Sequence, residues 1–422
     1  MEFLHIIYNI VITLIIIYTV RHYIFTFNRL HGKQRHPYID IDTAAWPSVT
    51  VLVAAHNEEQ VIAHSLDALA AVHYPRDKIN IVVVNDRSKD RTGEIIEQYV
   101  AKYPGLIYHF QRVQGKPGKA AALKDASQMV TSDIIIVFDA DYTPGRGLIK
   151  QLVAPFFDPE VGLVMGRVVP MNTGKNLLTR LLDMERSGGY QVDQQARMNM
   201  GLVPQYGGTV GGVRRATLDD VGGWRDDTLS EDTDVTYRAL LKGWKTVYQN
   251  RSECYEEVPE TWPVRIRQII RWAKGHNQSL FRYSGSVIAN RTLGFAERLD
   301  ALLLLGVYIM SPLILVGWIV GMALFYNGEM MLYGGYLPLL ALISYSSVGN
   351  TAAFFEIAAA VYLDGGKERL RLLPFNFFNF IISILSVTCG LISHACSPPE
   401  ERAKWDKTAR FRTPAQPATQ NI

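Results

Sequence analysis

Asp139 and Asp141 stand one residue apart at the end of the apolar run "DIIIVFDADYTP". If strand geometry continues through them, both carboxylates project to the same side, toward a common ion. Their hard oxygens suit Mg2+ or Mn2+, which take one or two carboxylates from a protein and complete the shell with phosphate oxygens and water. The same pair also suits a solvated strand end. Asp86 closes an earlier apolar run, "INIVVVND", and offers either an acceptor for a nucleoside or a cap for the turn "RSKDRT". Lys119 sits where the glycine-rich "GKPGK" runs into an alanine-rich helix, a place for a phosphate or a charged ring substituent. Farther on, "LSEDTDV" puts Glu231 and Asp232 in the first turn of a helix that Ser230 is suited to cap. Capping alone would explain both carboxylates. Against a crevice, Asp232 becomes a general base that takes a proton from an incoming hydroxyl.

The stretch "RQIIRWAKGHNQ" places Gln268, Arg271 and Trp272 at i, i+3 and i+4, on one helix face, with Gly275 leaving room a turn farther on. Arg271 supplies a planar charged fork for a diphosphate, Trp272 a flat surface for a sugar ring and Gln268 a two-way hydrogen bonder. Arg265, Arg267 and Lys274 beside Ile266, Ile269 and Ile270 have the composition of a helix lying at a membrane surface.

The elements that must position these residues alternate. From Ser48, "SVTVLVAAHNEEQVIAHSLDALAAV" reads as strand, loop, helix, and "INIVVVNDRSKDRTGEIIEQYVAKY" repeats it with a helix opening at Thr92. The run ending at Asp139 is a third strand. Apolar strands without alternation are covered on both faces, and their exchange with helices implies an α/β fold with a mostly parallel sheet. Ligands bind such sheets beyond the carboxyl ends of the strands. The polar clusters His56–Glu59, Asn85–Lys89 and Asp139–Asp141 all fall there.

The 422 residues are 48% hydrophobic, with a mean hydropathy of +0.04 and a formal net charge of +3, a balance that fits a mixed membrane and polar protein and predicts no nucleic-acid partner. Cys254, Cys389 and Cys396 are too scattered for a disulfide framework or a zinc site. Apolar runs occupy residues 3–20, 301–326, 331–363 and 372–396. The first reads as a retained span, because no Lys or Arg precedes it and no small-residue cleavage site follows. Arg21, Arg29, Lys33 and Arg35 then mark a cytoplasmic flank. The expected division is a transmembrane helix over 1–27, a cytoplasmic catalytic domain over 28–260, amphipathic interface helices over 261–298, about three membrane helices over 299–397 and a polar tail over 398–422. Localisation is therefore expected in the plasma or inner membrane, multi-pass. Positive charges on both sides of the last run leave the side of the C-terminus open. Glu356 is either a functional ionisable group at membrane depth or exposed on an interfacial helix.

In this order the motifs over about residues 48–300 resemble those of the inverting, membrane-integrated family 2 glycosyltransferases, which include cellulose, hyaluronan, chitin-oligosaccharide and poly-N-acetylglucosamine synthases. The pattern is an Asp after the second strand (Asp86), Asp-x-Asp (Asp139, Asp141), Thr-Glu-Asp (here Ser230, Glu231, Asp232) and Gln-x-x-Arg-Trp (Gln268, Arg271, Trp272). The tail "KWDKTAR" is similar to the Trp-x-Lys-Thr-x-Arg ending of several polymer synthases. The resemblance implies a GT-A-like, Rossmann-like fold and a UDP-sugar donor, with Asp86, Asp139 and Lys119 at the nucleotide and Asp141 on Mg2+ or Mn2+. It further implies Asp232 as base beside Glu231, Arg271 on the diphosphate, and Gln268 and Trp272 at the acceptor. Asn85-Asp86 in place of Asp-Asp and Ser230 in place of Thr depart from the pattern, as do a single leading span and the lack of a cellulose-synthase-type gating motif. The expected activity is processive β-polysaccharide synthesis coupled to export, with a lipid glycosyltransferase of the ceramide or diacylglycerol type as the alternative. An inactive membrane scaffold or sugar-nucleotide sensor, its carboxylates serving as caps, is the reading outside enzymes.

Overall fold

The computed structural model describes residues 1–36, 45–329, 351–396 and 410–411. The strands are β1 (Val49–Ala55), β2 (Ile79–Asp86), β3 (Ile107–Arg112), β4 (Ile134–Asp139), β5 (Thr143–Pro144), β6 (Val161–Pro170), β7 (Gly211–Arg214) and β8 (Lys245–Glu256). They form one eight-stranded sheet in the order β3-β2-β1-β4-β7-β6-β8-β5. β3, β2, β1 and β4 run parallel, as do β6 and β8, while β7 is antiparallel between β4 and β6 and β5 pairs antiparallel with the far side of β8. The expected α/β fold with a mostly parallel sheet is thus observed, mixed by β5 and β7.

The unbroken Val and Ile of β1 and β4 are buried on both faces, which is why no alternation appears in their sequence. β3 was not legible in that way. It lies at the sheet edge, only Ile107 and Arg112 are buried, and polar residues interrupt its pattern.

The helices are α1 (Glu2–His31), α2 (Ile62–Ala70), α3 (Thr92–Lys102), α4 (Lys119–Met129), α5 (Leu148–Val153), α6 (Leu177–Ser187), α7 (Gln195–Met200), α8 (Arg215–Asp220), α9 (Glu231–Leu241), α10 (Trp262–Ala289), α11 (Phe295–Leu305), α12 (Met310–Tyr326), α13 (Thr351–Leu363) and α14 (Asn376–Cys396). α3 opens at Thr92 and α4 at Lys119, as the sequence predicts. Three stretches among the described residues are long and apolar enough to cross a membrane: Glu2–His31, Val307–Tyr326 and Lys367–Ser393. α13 is shorter. Residues 330–350, which hold much of the expected 331–363 run, lie outside the described residues, as does the 398–422 tail apart from Arg410 and Phe411.

Three sequence expectations change here. Arg21, expected as a flanking charge, is buried: its guanidinium donates to Asp193 at 2.6 Å and to Asp300 at 3.1 Å and so fastens α1 to the polar domain. Glu356 is not exposed, since its carboxylate lies 2.6 Å from His22 Nδ1 on α1 and is buried. A carboxylate in an apolar setting needs such a partner. On α10, Arg265 is likewise buried and bonded to Glu185 and Gln268 rather than adding basic surface, and Ile269 and Ala273 pack on Val387 of α14.

Candidate active site

Asp86, Lys119, Asp139, Asp141, Glu231, Asp232, Gln268, Arg271 and Trp272 line one cavity of about 610 Å³. The carboxyl ends of β1, β2 and β4 form its floor, where a parallel sheet offers ligands a crevice.

Asp86 is held rather than capping. Arg112 Nη1 donates to its Oδ1 at 2.7 Å, Arg87 Nε donates to the same oxygen at 2.9 Å, and the Gly118 amide donates to Oδ2 at 2.8 Å. The turn "RSKDRT" is stabilised instead by Asp90, whose carboxylate accepts from the Thr92 amide. The amide of the glycine-rich turn is therefore committed to Asp86. Lys119, the first residue of α4, sets its ammonium 2.6 Å from Asp139 Oδ1 and 3.6 Å from Glu231 Oε1, and donates to the Gly208 carbonyl at 2.7 Å. Burial works against its charge, but Asp139 and Glu231 outweigh that and hold its pKa above the ordinary value.

Asp139 and Asp141 bond to different cations. While Asp139 pairs with Lys119, Asp141 Oδ2 accepts from Arg410 Nη1 at 2.7 Å. Asp141 is 4% exposed, and its Oδ1 is a buried oxygen without a hydrogen-bond partner. Burial pushes its carboxyl up to about 7, against the pull of Arg410. A buried hard oxygen with unused lone pairs fits a divalent cation. Among the described residues no group of three or more His, Cys, Asp or Glu side chains is arranged as a metal cage. A cation held here would lean on Asp141, with Asp139 beside it, and would draw its other ligands from phosphate and water.

Glu231 and Asp232 open α9, with Ser230 at the cap position, yet the Ser230 hydroxyl makes no capping bond. Asp232 Oδ1 accepts from the Thr233 amide at 2.7 Å. Burial, then the charge of Glu231, raises the Asp232 pKa. Two glycines allow this packing. Gly208, at φ +73°, passes so close that an added Cβ would lie 3.1 Å from Asp232 Cβ. Gly275 on α10 faces the chain entering α9, where a Cβ would lie 2.9 Å from the Leu229 carbonyl carbon and the Ser230 nitrogen and closer still to the Ser230 hydroxyl. Gly275 thus sets α10, carrying Arg271 one turn earlier, against the base of α9. Burial lowers the Arg271 pKa, while Glu231, Asp139 and Asp232 act in the opposite sense, so the guanidinium lies within their field. Gln268 Oε1 accepts from Arg265 at 2.9 Å. The guanidinium carbons of Arg186 and Arg265 lie 5.0 and 5.4 Å from the Trp272 ring centroid, so the ring is already engaged by cations.

Sequence reasoning gave no role to several residues that line the cavity or hold those that do. Arg112 stands in register with Asp86 across β2 and β3, a signal lost with the missed strand. Glu58 lay within the recognised cluster His56–Glu59, and Arg410 within the tail motif. Arg186 donates to Glu256 at 2.7 Å, and Tyr142 donates to the other oxygen of Glu256 at 2.7 Å. Nothing in the spacing of residues 142, 186 and 256 announces that meeting.

Residues 47–275 match the family described as glycosyltransferase like family 2. The chain is 35% identical over 269 residues to "Probable glycosyltransferase YdaM" of Bacillus subtilis, covering 62% of each chain. It is 31% identical over 310 residues to "Beta-monoglucosyldiacylglycerol synthase" of Synechocystis sp., covering 74% of this chain and 62% of that one. The chain thus matches 62% of the length of both relatives. Among solved structures, the mannosyltransferase PcManGT from Pyrobaculum calidifontis, in complex with GDP-Man and Mn2+, is similar with a TM-score of 0.64 at 19% identity, covering 93% of this chain and 99% of that one. Likeness at that identity shows the fold, a GT-A-like α/β arrangement.

Proposed function

Because the chain belongs to glycosyltransferase family 2, we propose that it moves a sugar from a nucleotide-sugar, a UDP-sugar first, onto a hydroxyl of a membrane lipid, with inversion. The observation that carries this reading is the extent of the cavity. It runs from Asp86, Lys119 and Asp139 to Leu304, Val307 and Tyr308, at the foot of the apolar stretch Val307–Tyr326. A lipid headgroup entering from that end would meet Asp232 before the donor carboxylates. A relative of the chain is itself named a beta-monoglucosyldiacylglycerol synthase. Processive polymer synthesis is the second reading, favoured by the tail motif "KWDKTAR", whose Arg410 lines the same cavity.

In the proposed reaction Asp232 takes the proton of the acceptor hydroxyl as its oxygen attacks the anomeric carbon. The bond from that carbon to the diphosphate breaks, the pair of electrons leaves with the diphosphate, and an α-linked donor yields a β-linked product. Arg271 and Lys119 face the growing negative charge on the leaving group. Asp141, with Asp139 beside it, would hold a Mg2+ or Mn2+ ion, which would supply Lewis-acid neutralisation of the same diphosphate. Gln268 orients the acceptor, and Asp86, fixed by Arg112, keeps the nucleotide end of the cavity in shape. The catalytic unit, 28–260, works on the cytoplasmic side of a plasma or inner membrane that residues 1–27 and 299–397 cross, with 261–298 at its surface.

The product distinguishes the readings. Membranes carrying the chain, given diacylglycerol and labelled UDP-glucose, UDP-N-acetylglucosamine or UDP-glucuronate in turn, should place label from one donor in a single solvent-extractable glycolipid. A ladder of polymer would establish the second reading instead, and no incorporation from any nucleotide-sugar would overturn both.

The pH profile follows from Asp232. The base acts only when ionised, and its pKa is raised above the ordinary carboxylate value by burial and Glu231. The acid limb of kcat/KM, which reports the free enzyme, should therefore fall above the range of an ordinary aspartate. Glu231→Gln should move that limb to lower pH; a limb that stays in place would contradict the assignment.

A further inference from the structure

Arg410 occupies the cation side of the donor site. Its guanidinium donates from Nη1 to Asp141 Oδ2 at 2.7 Å, from Nε to Glu58 Oε2 at 3.0 Å and from Nη2 to Glu58 Oε1 at 3.2 Å. The next residue is fastened as well, since the Phe411 amide donates to Glu257 Oε1 at 3.1 Å. Asp141 and Glu58 are 4% and 5% exposed, so this is a buried, bidentate ion pair and not a surface encounter. Arg410 follows α14, whose stretch Lys367–Ser393 is apolar enough to cross a membrane. The contact therefore ties the chain beyond that helix to the floor of the cavity.

We infer that Arg410 is a resident cation that must give way when the donor loads, so that the C-terminal tail reports and resists donor-site occupancy. The inference rests on the reading of Asp141 as the support of a divalent cation. Two cations on one buried carboxylate repel each other at close range in a medium that screens them poorly. A divalent ion carrying a diphosphate satisfies the Asp141 charge more fully than one guanidinium does. Once Arg410 leaves Asp141, its hold on Glu58 alone has lost the shared carboxylate that brought it there. The same contact has a second effect: it sets a cation against two buried acids.

Purified full-length protein in lipid nanodiscs gives two readouts that do not depend on turnover. The first is Mn2+ affinity by calorimetry, with UDP present. If Arg410 is docked in about nine molecules of ten, the apparent affinity is weakened about tenfold, so Arg410→Ala should bind Mn2+ about tenfold more tightly than wild type, with Arg410→Lys between them. The second is trypsin cleavage at the Arg410–Phe411 bond, followed by mass spectrometry of the released C-terminal peptide. Cleavage needs a free arginine side chain and should be accelerated by Mn2+ with UDP. Equal or weaker Mn2+ binding in Arg410→Ala, or cleavage that is unchanged or slowed on loading, would overturn the exchange and make Arg410 a lasting part of the loaded site. Absence of Mn2+ binding in wild type and variant alike would instead refute Asp141 as the support of the metal.

Discussion

Replacing Asp232 by asparagine should lower kcat by about 10²–10⁴-fold, the range that a positioned general base supplies. The substitution keeps the shape of the side chain and an oxygen for the Thr233 amide, so α9 should stay folded. What is lost is the group that takes the acceptor proton in the proposed reaction. Donor affinity should change little, because Lys119 keeps its contacts with Asp139 and Glu231. Turnover measured with labelled donor, alongside binding of UDP to the same preparation, checks both halves. Turnover within a few-fold of wild type would remove Asp232 from the chemistry and return it to the helix-terminus role that its place in the first turn also allows.

The second large effect is expected at a residue with no side chain. Gly275→Ala would set a Cβ 2.9 Å from the backbone of Leu229 and Ser230. Backbone cannot rotate away as a flexible side chain can, so α10 and the start of α9 must separate. Overpacking of this kind costs about 1–3 kcal/mol. The larger consequence is geometric, because Arg271 on α10 and Asp232 on α9 line the same cavity and the proposed reaction uses both. A displacement of roughly 1 Å there lowers turnover by about 10²-fold. Gly285 on the same helix is the control: a Cβ there meets nothing within 4 Å, and Gly285→Ala should be neutral or stabilising by up to about 1 kcal/mol. Thermal unfolding and kcat for the pair separate the steric effect from a general intolerance of α10 to substitution. Equal behaviour of the two variants would contradict the packing role of Gly275.

The parts of this molecule that were legible in its sequence share a physical cause. β1, β2 and β4 are central and parallel, so their apolar runs are unbroken, and each ends in polar residues because the crevice lies at that edge. The carboxylates at 86, 139 and 141 were found for that reason, and Asp232 because it follows Ser230 in the first turn of a helix. β3 was missed because an edge strand need not be apolar throughout, and with it went Arg112, the cation that fixes Asp86. Long-range pairing was equally hidden. Arg186 with Glu256, Arg410 with Asp141 and His22 with Glu356 each join residues far apart in the chain, and no local spacing encodes which partner a charged side chain meets. The helix carrying Gln268, Arg271 and Trp272 was recognised by its period, yet its apolar flank meets α14 and its Arg265 is turned inward to Glu185. A basic, apolar helix looks the same in sequence whether it lies on lipid or on another helix.

The claim on which these expectations rest is a single displacement at one cavity. The anomeric configuration of the product tests it most directly. Purified protein supplied with an α-linked UDP-sugar and the acceptor identified from membranes should release one UDP for each sugar transferred and give a β-glycoside by proton NMR. An α-glycoside, or sugar transfer without matching UDP release, would contradict it.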